Sequence, residues 1–371
     1  MIVEEICLQN FRNIAAAELA PCPEINILLG DNAQGKTNFM EAIWLCTGNR
    51  SFRGARESQM VRFGEAAFQI RNQFRDRERQ QEIRYAGGEK KRKVQLNNVP
   101  LKTPSELAGI FPAVVFDPTE MNIVREGPGE RRRFLDTAAS QLKPAYGQYL
   151  AQYQSVLEQR NALLRDGEKY AQFADTFDIW DLQLARLGTI LSIYRADYLR
   201  KLTPAAAEIY GGFTGYAESF TAGYESTVFP EEMPLEVYSD ELIEYYLEAL
   251  RQSRETDLRM RCTTKGIHRD DIALAVDGNP VKLYGSRGQQ RSCAIALKLG
   301  EAHLYRRITG EAPVILLDDV MSELDQNRQD YIRNQIRGFQ VLITCCDLSN
   351  TLRMESGKIF SVENGSIVLE P

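Results

Sequence analysis

Three short stretches hold residue types whose spacing could do phosphate chemistry. The first is Gly30-Asp31-Asn32-Ala33-Gln34-Gly35-Lys36-Thr37. Its glycines let a loop turn successive N–H groups inward, and a helix starting at its end adds a positive dipole terminus. Lys36 then reaches the β- and γ-phosphates of a nucleoside triphosphate, and the Thr37 hydroxyl sits on Mg²⁺. The second is Asp318-Asp319, which closes the apolar run 314–317. The first acid of such a pair holds Mg²⁺ through water, and the second orients or deprotonates the attacking water. A solvated pair of acids at a strand end is the plainer alternative. The third is Leu283-Tyr284-Gly285-Ser286-Arg287-Gly288-Gln289-Gln290-Arg291, which opens a helical pattern over 292–304. Ser286 and Gly288 offer a hydroxyl and unpaired N–H groups to an anion. A simple N-cap at Ser286 with no ligand is the alternative.

These residues act together only if the elements around them bring them together. Ile25-Asn26-Ile27-Leu28-Leu29 reads as a buried strand and 38–44 as a helix, so the glycine loop has the strand before it and the helix after it that phosphate binding requires. Residues 314–317 read as a buried parallel strand with its acids at the C-terminal end, the position that belongs beside such a loop. Short strands are expected at 2–9, 16–19 and 114–116, and a β-meander over 63–99 with turn signals at Ala86-Gly87-Gly88 and Asn97-Asn98. After Gly127-Pro128-Gly129 the periodicity is helical to about residue 200, with a break near Asp166-Gly167 between two antiparallel helices. Turns or a small strand pair are expected at 211–228 and a helix at 231–257. A strand at 272–276 follows, then a hairpin turn at Asp277-Gly278-Asn279-Pro280 and a strand over 340–344. The fold expected is α/β: an ATPase head at 1–129 and 265–371, split by a helical arm at 130–264.

A chain of 371 residues suggests two or three core-forming units. Its net charge of −6 excludes a globally basic nucleic-acid binder, so any such contact must use a local patch. One exists: residues 71–102 hold ten basic side chains against four acidic ones. Arg75, Arg77, Arg79, Lys90, Lys91, Arg92 and Lys93 are the candidates for a phosphate backbone, with a solvated meander surface as the alternative. Basic and aromatic residues do not interleave, so duplex or junction contact is favoured over stacking on single strands. Arg131-Arg132-Arg133 cannot share one helix face, and some of these must pair with acids. His268 beside Asp270 and Asp271 is thin ground for a metal; a structural hydrogen bond is the better reading. Seven cysteines without metal-like spacing fit buried thiols in a reducing cytosol. No run of about 18 apolar residues suggests a membrane span, and the acidic N-terminus does not resemble a signal peptide. A cytoplasmic location is expected.

The 283–291 stretch resembles the signature of ABC-type ATPases, and Ser322-Glu323-Leu324-Asp325 resembles their D-loop. In that class the signature of one subunit caps the phosphate held by the other, which implies that Ser286, Gly288, Gln289 and Asp325 act in trans within an ATP-dependent homodimer. Further stretches narrow the resemblance. They are Leu8-Gln9-Asn10-Phe11-Arg12-Asn13, Arg50-Ser51-Phe52-Arg53, Arg131-Arg132-Arg133-Phe134-Leu135-Asp136, Tyr153 with Gln159-Arg160-Asn161, His268-Arg269-Asp270-Asp271 and 317–325. Together they resemble the RecF family, ABC-type ATPases akin to SMC heads but without a long coiled coil.

That resemblance implies ATP and Mg²⁺ as cofactors, Arg12 among the nucleotide contacts, and Lys36, Asp318 and Asp319 as the catalytic group. It also implies binding to double-stranded, gapped or junction DNA, slow DNA-stimulated hydrolysis, and a role in gap repair, replication and the SOS response. RecR is the implied partner, with RecO and RecA downstream. Another SMC-like repair ATPase is the alternative, and an ABC transporter ATPase subunit a more distant one. Ala33 departs from the family's usual glycine, and its Cβ is expected to fit only at negative φ. Arg287 departs from the usual glutamine.

Overall fold

A computed structural model describes residues 1–88, 92–165, 174–347 and 357–370. In chain order the strands and helices begin with β1 (Ile2–Phe11), β2 (Ile14–Leu19), β3 (Ile25–Leu29) and α1 (Lys36–Leu45). The meander follows as β4 (Ala67–Arg75), β5 (Gln80–Gly88), β6 (Lys93–Leu96) and β7 (Val99–Leu101), then β8 (Ala113–Phe116). Next come α2 (Asn122–Arg125), α3 (Pro128–Leu142), α4 (Pro144–Arg165), α5 (Ala174–Thr214), β9 (Phe220–Glu225) and α6 (Asp240–Met260). They are followed by β10 (Asp271–Val276), β11 (Asn279–Pro280), α7 (Val281–Tyr284) and α8 (Arg287–Thr309). The chain closes with β12 (Val314–Asp318), α9 (Gln326–Gln335), β13 (Val341–Cys345), β14 (Lys358–Glu363) and β15 (Ser366–Leu369).

Two compact units result: Met1–Met121 with Ile209–Tyr216 and Ala294–Pro371, and Asn122–Glu208 with Ala217–Cys293. These limits differ from the expected 129/130 and 264/265. The change in pattern at Gly127-Pro128-Gly129 marks the start of a helix, with Pro128 at its first position, and the chain has already left the first unit. Residues 271–276 join the helical unit because β10 pairs with β9 along its whole length.

The first unit carries two six-stranded sheets. In β15-β14-β3-β13-β12-β8, the neighbouring strands Ile-Asn-Ile-Leu-Leu, Val-Leu-Ile-Thr-Cys, Val-Ile-Leu-Leu-Asp and Ala-Val-Val-Phe run parallel and are buried almost throughout, as near-continuous apolar runs require. The other sheet, β2-β1-β4-β5-β6-β7, is antiparallel, and β4 and β5 alternate buried and solvated positions. Phe68, Ile70, Phe74 and Ile83 from its inner face share one core with Phe39, Met40, Ile43 and Trp44 of α1 and with Leu28, Leu316 and Leu342.

Some sequence expectations shift for packing reasons. Ala86-Gly87-Gly88 lies inside β5, because Gly87 faces Phe68 across the ladder and its hydrogen makes room for that ring. Helix α5 runs on through Gly211 and Gly212; a Cβ at Gly212 would stand 2.0 Å from the Tyr331 hydroxyl. Of the 211–228 segment only β9 is extended. Residues 231–239 are irregular, and α6 starts at Asp240, where the Ser239 hydroxyl accepts the Leu242 N–H. The Asp166-Gly167 break lies outside the described residues.

The helical unit is tied by buried ions. Arg160, wholly buried, bridges Asp181 at 2.6 Å and Asp257 at 2.7 Å. Arg131 forks onto Asp271, while Arg132 donates to the Asp270 carbonyl and Arg133 meets Glu130 at the surface, so the three arginines do point different ways. His268 bonds Tyr153 through Nδ1 at 2.9 Å and the Thr263 carbonyl through Nε2 at 2.9 Å. Burial holds its pKa down at about 4.

Candidate nucleotide-binding site

The apolar β3 delivers the chain to Gly30, and the loop returns through Gly35 into α1. Gly35 has φ +116° and packs on Asn13, whose Oδ1 would lie 2.9 Å from any Cβ there. Asn13 also donates to the Gln34 carbonyl at 3.1 Å and accepts from Asn38 at 2.7 Å, so the turn after β1 braces the loop. Ala33 overturns its expectation. It sits at φ +66°, in the left-handed region, with its methyl exposed. Exposure removes any clash with neighbours, and the remaining local strain is roughly 1 kcal/mol.

The Lys36 ammonium is buried and donates to the carbonyls of Gly30 and, at 3.1 Å, Asp31. Its third neighbour is the Cys346 sulfur at 3.3 Å, which in turn lies 3.1 Å from Asn32 Oδ1. Thr37 donates to Asp318 Oδ1 at 2.9 Å. About 280 residues apart in sequence, the two meet because β3 and β12 flank β13, and both run parallel to it. This is the crevice at the carboxyl ends of a parallel sheet where α/β proteins bind ligands.

Asp318 is 4% exposed and its pKa is pushed up to about 6, first by burial and then by the charges of Asp319 and Asp117; the hydroxyls of Thr344 and Thr37 oppose the rise. An alcohol oxygen beside a carboxylate that gains from a positive neighbour is a donor set that fits Mg²⁺. Asp319 stands at φ +53°, its N–H donating to Thr344 Oγ1 at 2.9 Å and its carbonyl accepting from Ser322.

Arg12 forks onto the fully buried Glu41 of α1 at 2.8 and 2.9 Å and donates to the Gln59 carbonyl, leaving 17% of its side chain exposed. Arg53 joins the same cluster through Asn38 at 3.0 Å. Asp325 is exposed and caps α9, its Oδ1 accepting the Arg328 N–H. In the helical unit Ser286 is exposed and forms a reciprocal capping box with Gln289, at 2.8 and 3.2 Å. The serine oxygen accepts in that box, which leaves its proton for an anion. Arg287 is exposed at the start of α8 and Gly288 half-buried.

The basic patch is less open than its composition suggests. Arg75 meets Glu4, Arg77 meets Glu311, and Arg92 meets Glu57, which offsets much of the local positive charge. Arg79 and Lys93 are exposed, and Lys90 and Lys91 lie outside the described residues.

Sequence reasoning missed Asn13, Glu41 and Thr344. Thr344 had a usable signal as a polar residue at the end of the strand beside Asp318.

Comparison with known proteins adds the family context. The family described as "RecF/RecN/SMC N terminal domain" matches residues 2–367. The DNA replication and repair protein RecF of Lachnospira eligens is 37% identical over all of both chains, and that of Agathobacter rectalis 37% identical over 99% of each. A solved structure of the recombination mediator protein RecF with ATP superimposes with a TM-score of 0.92 at 33% identity, over all of this chain and 98% of that one. An SMC head domain from Pyrococcus furiosus gives 0.55 at 14% identity over all of this chain and 96% of that one, a likeness of fold alone. Among the described residues no helix is long and apolar enough to cross a membrane.

Proposed function

This chain belongs to the RecF family, and from that premise we propose that it is an ATP-gated DNA-binding protein of recombinational gap repair whose slow hydrolysis resets a dimer on DNA. The observation that carries the reading is the meeting of Thr37 and Asp318 at 2.9 Å beside the buried Lys36. RecF relatives solved with ATP support the nucleotide. The full-length match to RecF proteins favours repair over the transporter alternative.

Lys36 exchanges the loop carbonyls for β- and γ-phosphate oxygens, while the loop N–H groups and the start of α1 hold the rest of the phosphates. Thr37 and Asp318 hold Mg²⁺, which neutralises charge on those oxygens. Asp319 positions the attacking water. Ser286, Gly288, Gln289 and Asp325 of a second copy complete the cradle, so a dimer closes only over ATP. The closed pair holds double-stranded or gapped DNA, with Arg79 and Lys93 among the exposed cations of the meander. RecR is the proposed partner, acting with RecO to place RecA, and hydrolysis is weak and DNA-stimulated.

Gel filtration with ATP, with and without duplex DNA, tests this. The wild-type chain is expected to move to the dimer position with ATP, and Lys36→Ala to lose nucleotide binding and dimerisation together. A Lys36→Ala protein that dimerises with ATP like wild type ends the gating mechanism.

A further inference from the structure

We infer that Thr344 is a positioning residue for hydrolysis: one hydroxyl that holds both acids of the site in their working places. This rests on the ATPase reading above. Thr344 lies on β13, the strand between the phosphate-loop strand β3 and the acid-bearing strand β12, with Thr344 opposite Asp318 in the ladder. It is 1% exposed. A threonine hydroxyl carries one proton and two lone pairs, and here both kinds of capacity are used. The proton goes to Asp318 Oδ1 at 2.7 Å, and a lone pair takes the Asp319 N–H at 2.9 Å.

The two bonds do different work. The first fixes the Asp318 carboxylate through the same oxygen that accepts from Thr37. Asp318 Oδ1 is thereby held by two hydroxyls, one from α1 and one from β13, which restrains its rotation about χ2. The second bond concerns the backbone. Asp319 occupies the left-handed region at φ +53°, a conformation that an aspartate keeps only when its surroundings enforce it. Accepting its N–H at that point secures the turn, with Ser322 securing the carbonyl side. Relaxation of Asp319 to an ordinary φ would re-aim its carboxylate.

The residue touches neither phosphate nor water in this scheme. It acts through Asp318 and Asp319, and the side chains that orient a metal-holding carboxylate typically contribute 10- to 100-fold. Valine has threonine's shape without the hydroxyl; serine keeps the hydroxyl without the methyl.

The test compares wild type, Thr344→Val and Thr344→Ser in steady-state ATP hydrolysis, fluorescent-ATP binding, Mg²⁺ titration of the bound nucleotide, and thermal melting. Thr344→Val is expected to lose about 10- to 100-fold in kcat. Its ATP affinity without Mg²⁺ should stay within about twofold of wild type, with the Mg²⁺ midpoint raised. Thr344→Ser should recover most of the rate. Three results overturn the inference: a valine variant that hydrolyses at the wild-type rate, a serine variant as slow as the valine one, or a loss of metal-free ATP binding in proportion to the loss of rate. If Thr344→Val melts early, Thr344→Ser decides, since a folded serine variant with an unshifted Mg²⁺ midpoint and near-wild-type kcat sustains the role and a slow one removes it. A wild-type protein that binds no ATP would fail the ATPase reading itself, a result that none of these outcomes resembles.

Discussion

Among the described residues, two sets of buried charge are held on different terms. In the helical unit Arg160 has Asp181, Asp257 and Thr263 around it, and Arg254 adds a second cation against Asp181. Arg195 likewise meets Asp136, the Tyr146 hydroxyl and the Ile267 carbonyl. At the carboxyl ends of the parallel strands in the first unit, by contrast, Asp318 is buried beside Asp319 and Asp117 with only hydroxyls to answer it, and Lys36 is answered only by carbonyls and a sulfur. One region has its charges matched internally, and the other holds charge of each sign that a bound triphosphate and cation would match. Matched charges make for order, although Arg160 keeps its buried Nη2 without a hydrogen-bond partner; unmatched charges at the strand ends cost stability and leave binding energy for a ligand. Backbone strain does not follow this division: Ala33 and Asp319 stand at positive φ in the open region, and Arg261 and Asp277 do so in the helical unit.

The largest expected effect breaks the closed network. Arg160→Met should destabilise the protein by about 3–5 kcal/mol, because Asp181 and Asp257 are left buried without their shared cation. Urea denaturation measures it, and a loss under about 1 kcal/mol would mean that the network is not closed in the sense argued. Asp318→Asn at the open site should do the reverse. Hydrolysis should fall at least about 100-fold, while the melting temperature without nucleotide stays level or rises, since a buried charge is removed and the hydroxyl bonds remain. A variant that melts well below wild type would place Asp318 with the matched charges instead.

His268 gives a pH test of the closed side. Its folded pKa, about 4, lies below the unfolded value near 6.5. Between these values the unfolded chain takes up a proton that the folded chain refuses, so stability falls as pH drops from about 6.5 to about 4, by about 3 kcal/mol in all. Denaturation midpoints at several pH values should show this slope, and His268→Gln should flatten it. The smallest effect concerns Ala33. Glycine there relieves the left-handed strain but adds freedom to the unfolded chain, so Ala33→Gly should gain only about 0.5 kcal/mol, with ATP affinity equal or slightly higher. A clear loss of stability would show that the loop does not need positive φ at that position.

Local chemistry made much of this legible in the sequence. A glycine loop between an apolar run and a helical pattern has one sensible folding, and an apolar run ending in two acids has one sensible place beside it. The strands of the parallel sheet were readable because burial on both faces forces continuous apolar runs. The tertiary structure alone decided what depends on residues far apart in sequence. Gly87 and Gly212 look like turns, yet each makes room for an aromatic ring that comes from another element. The arginines of the meander look like an open patch until Glu4, Glu57 and Glu311 arrive beside them. Thr344 looks like the end of a strand, and becomes the keeper of two acids only once β13 is set between β3 and β12. Periodicity and turn chemistry act over a few residues and so are written in the chain. Hydrogen bonds and ion pairs act over about 3 Å of space, and only the folded chain fixes which residues lie that close.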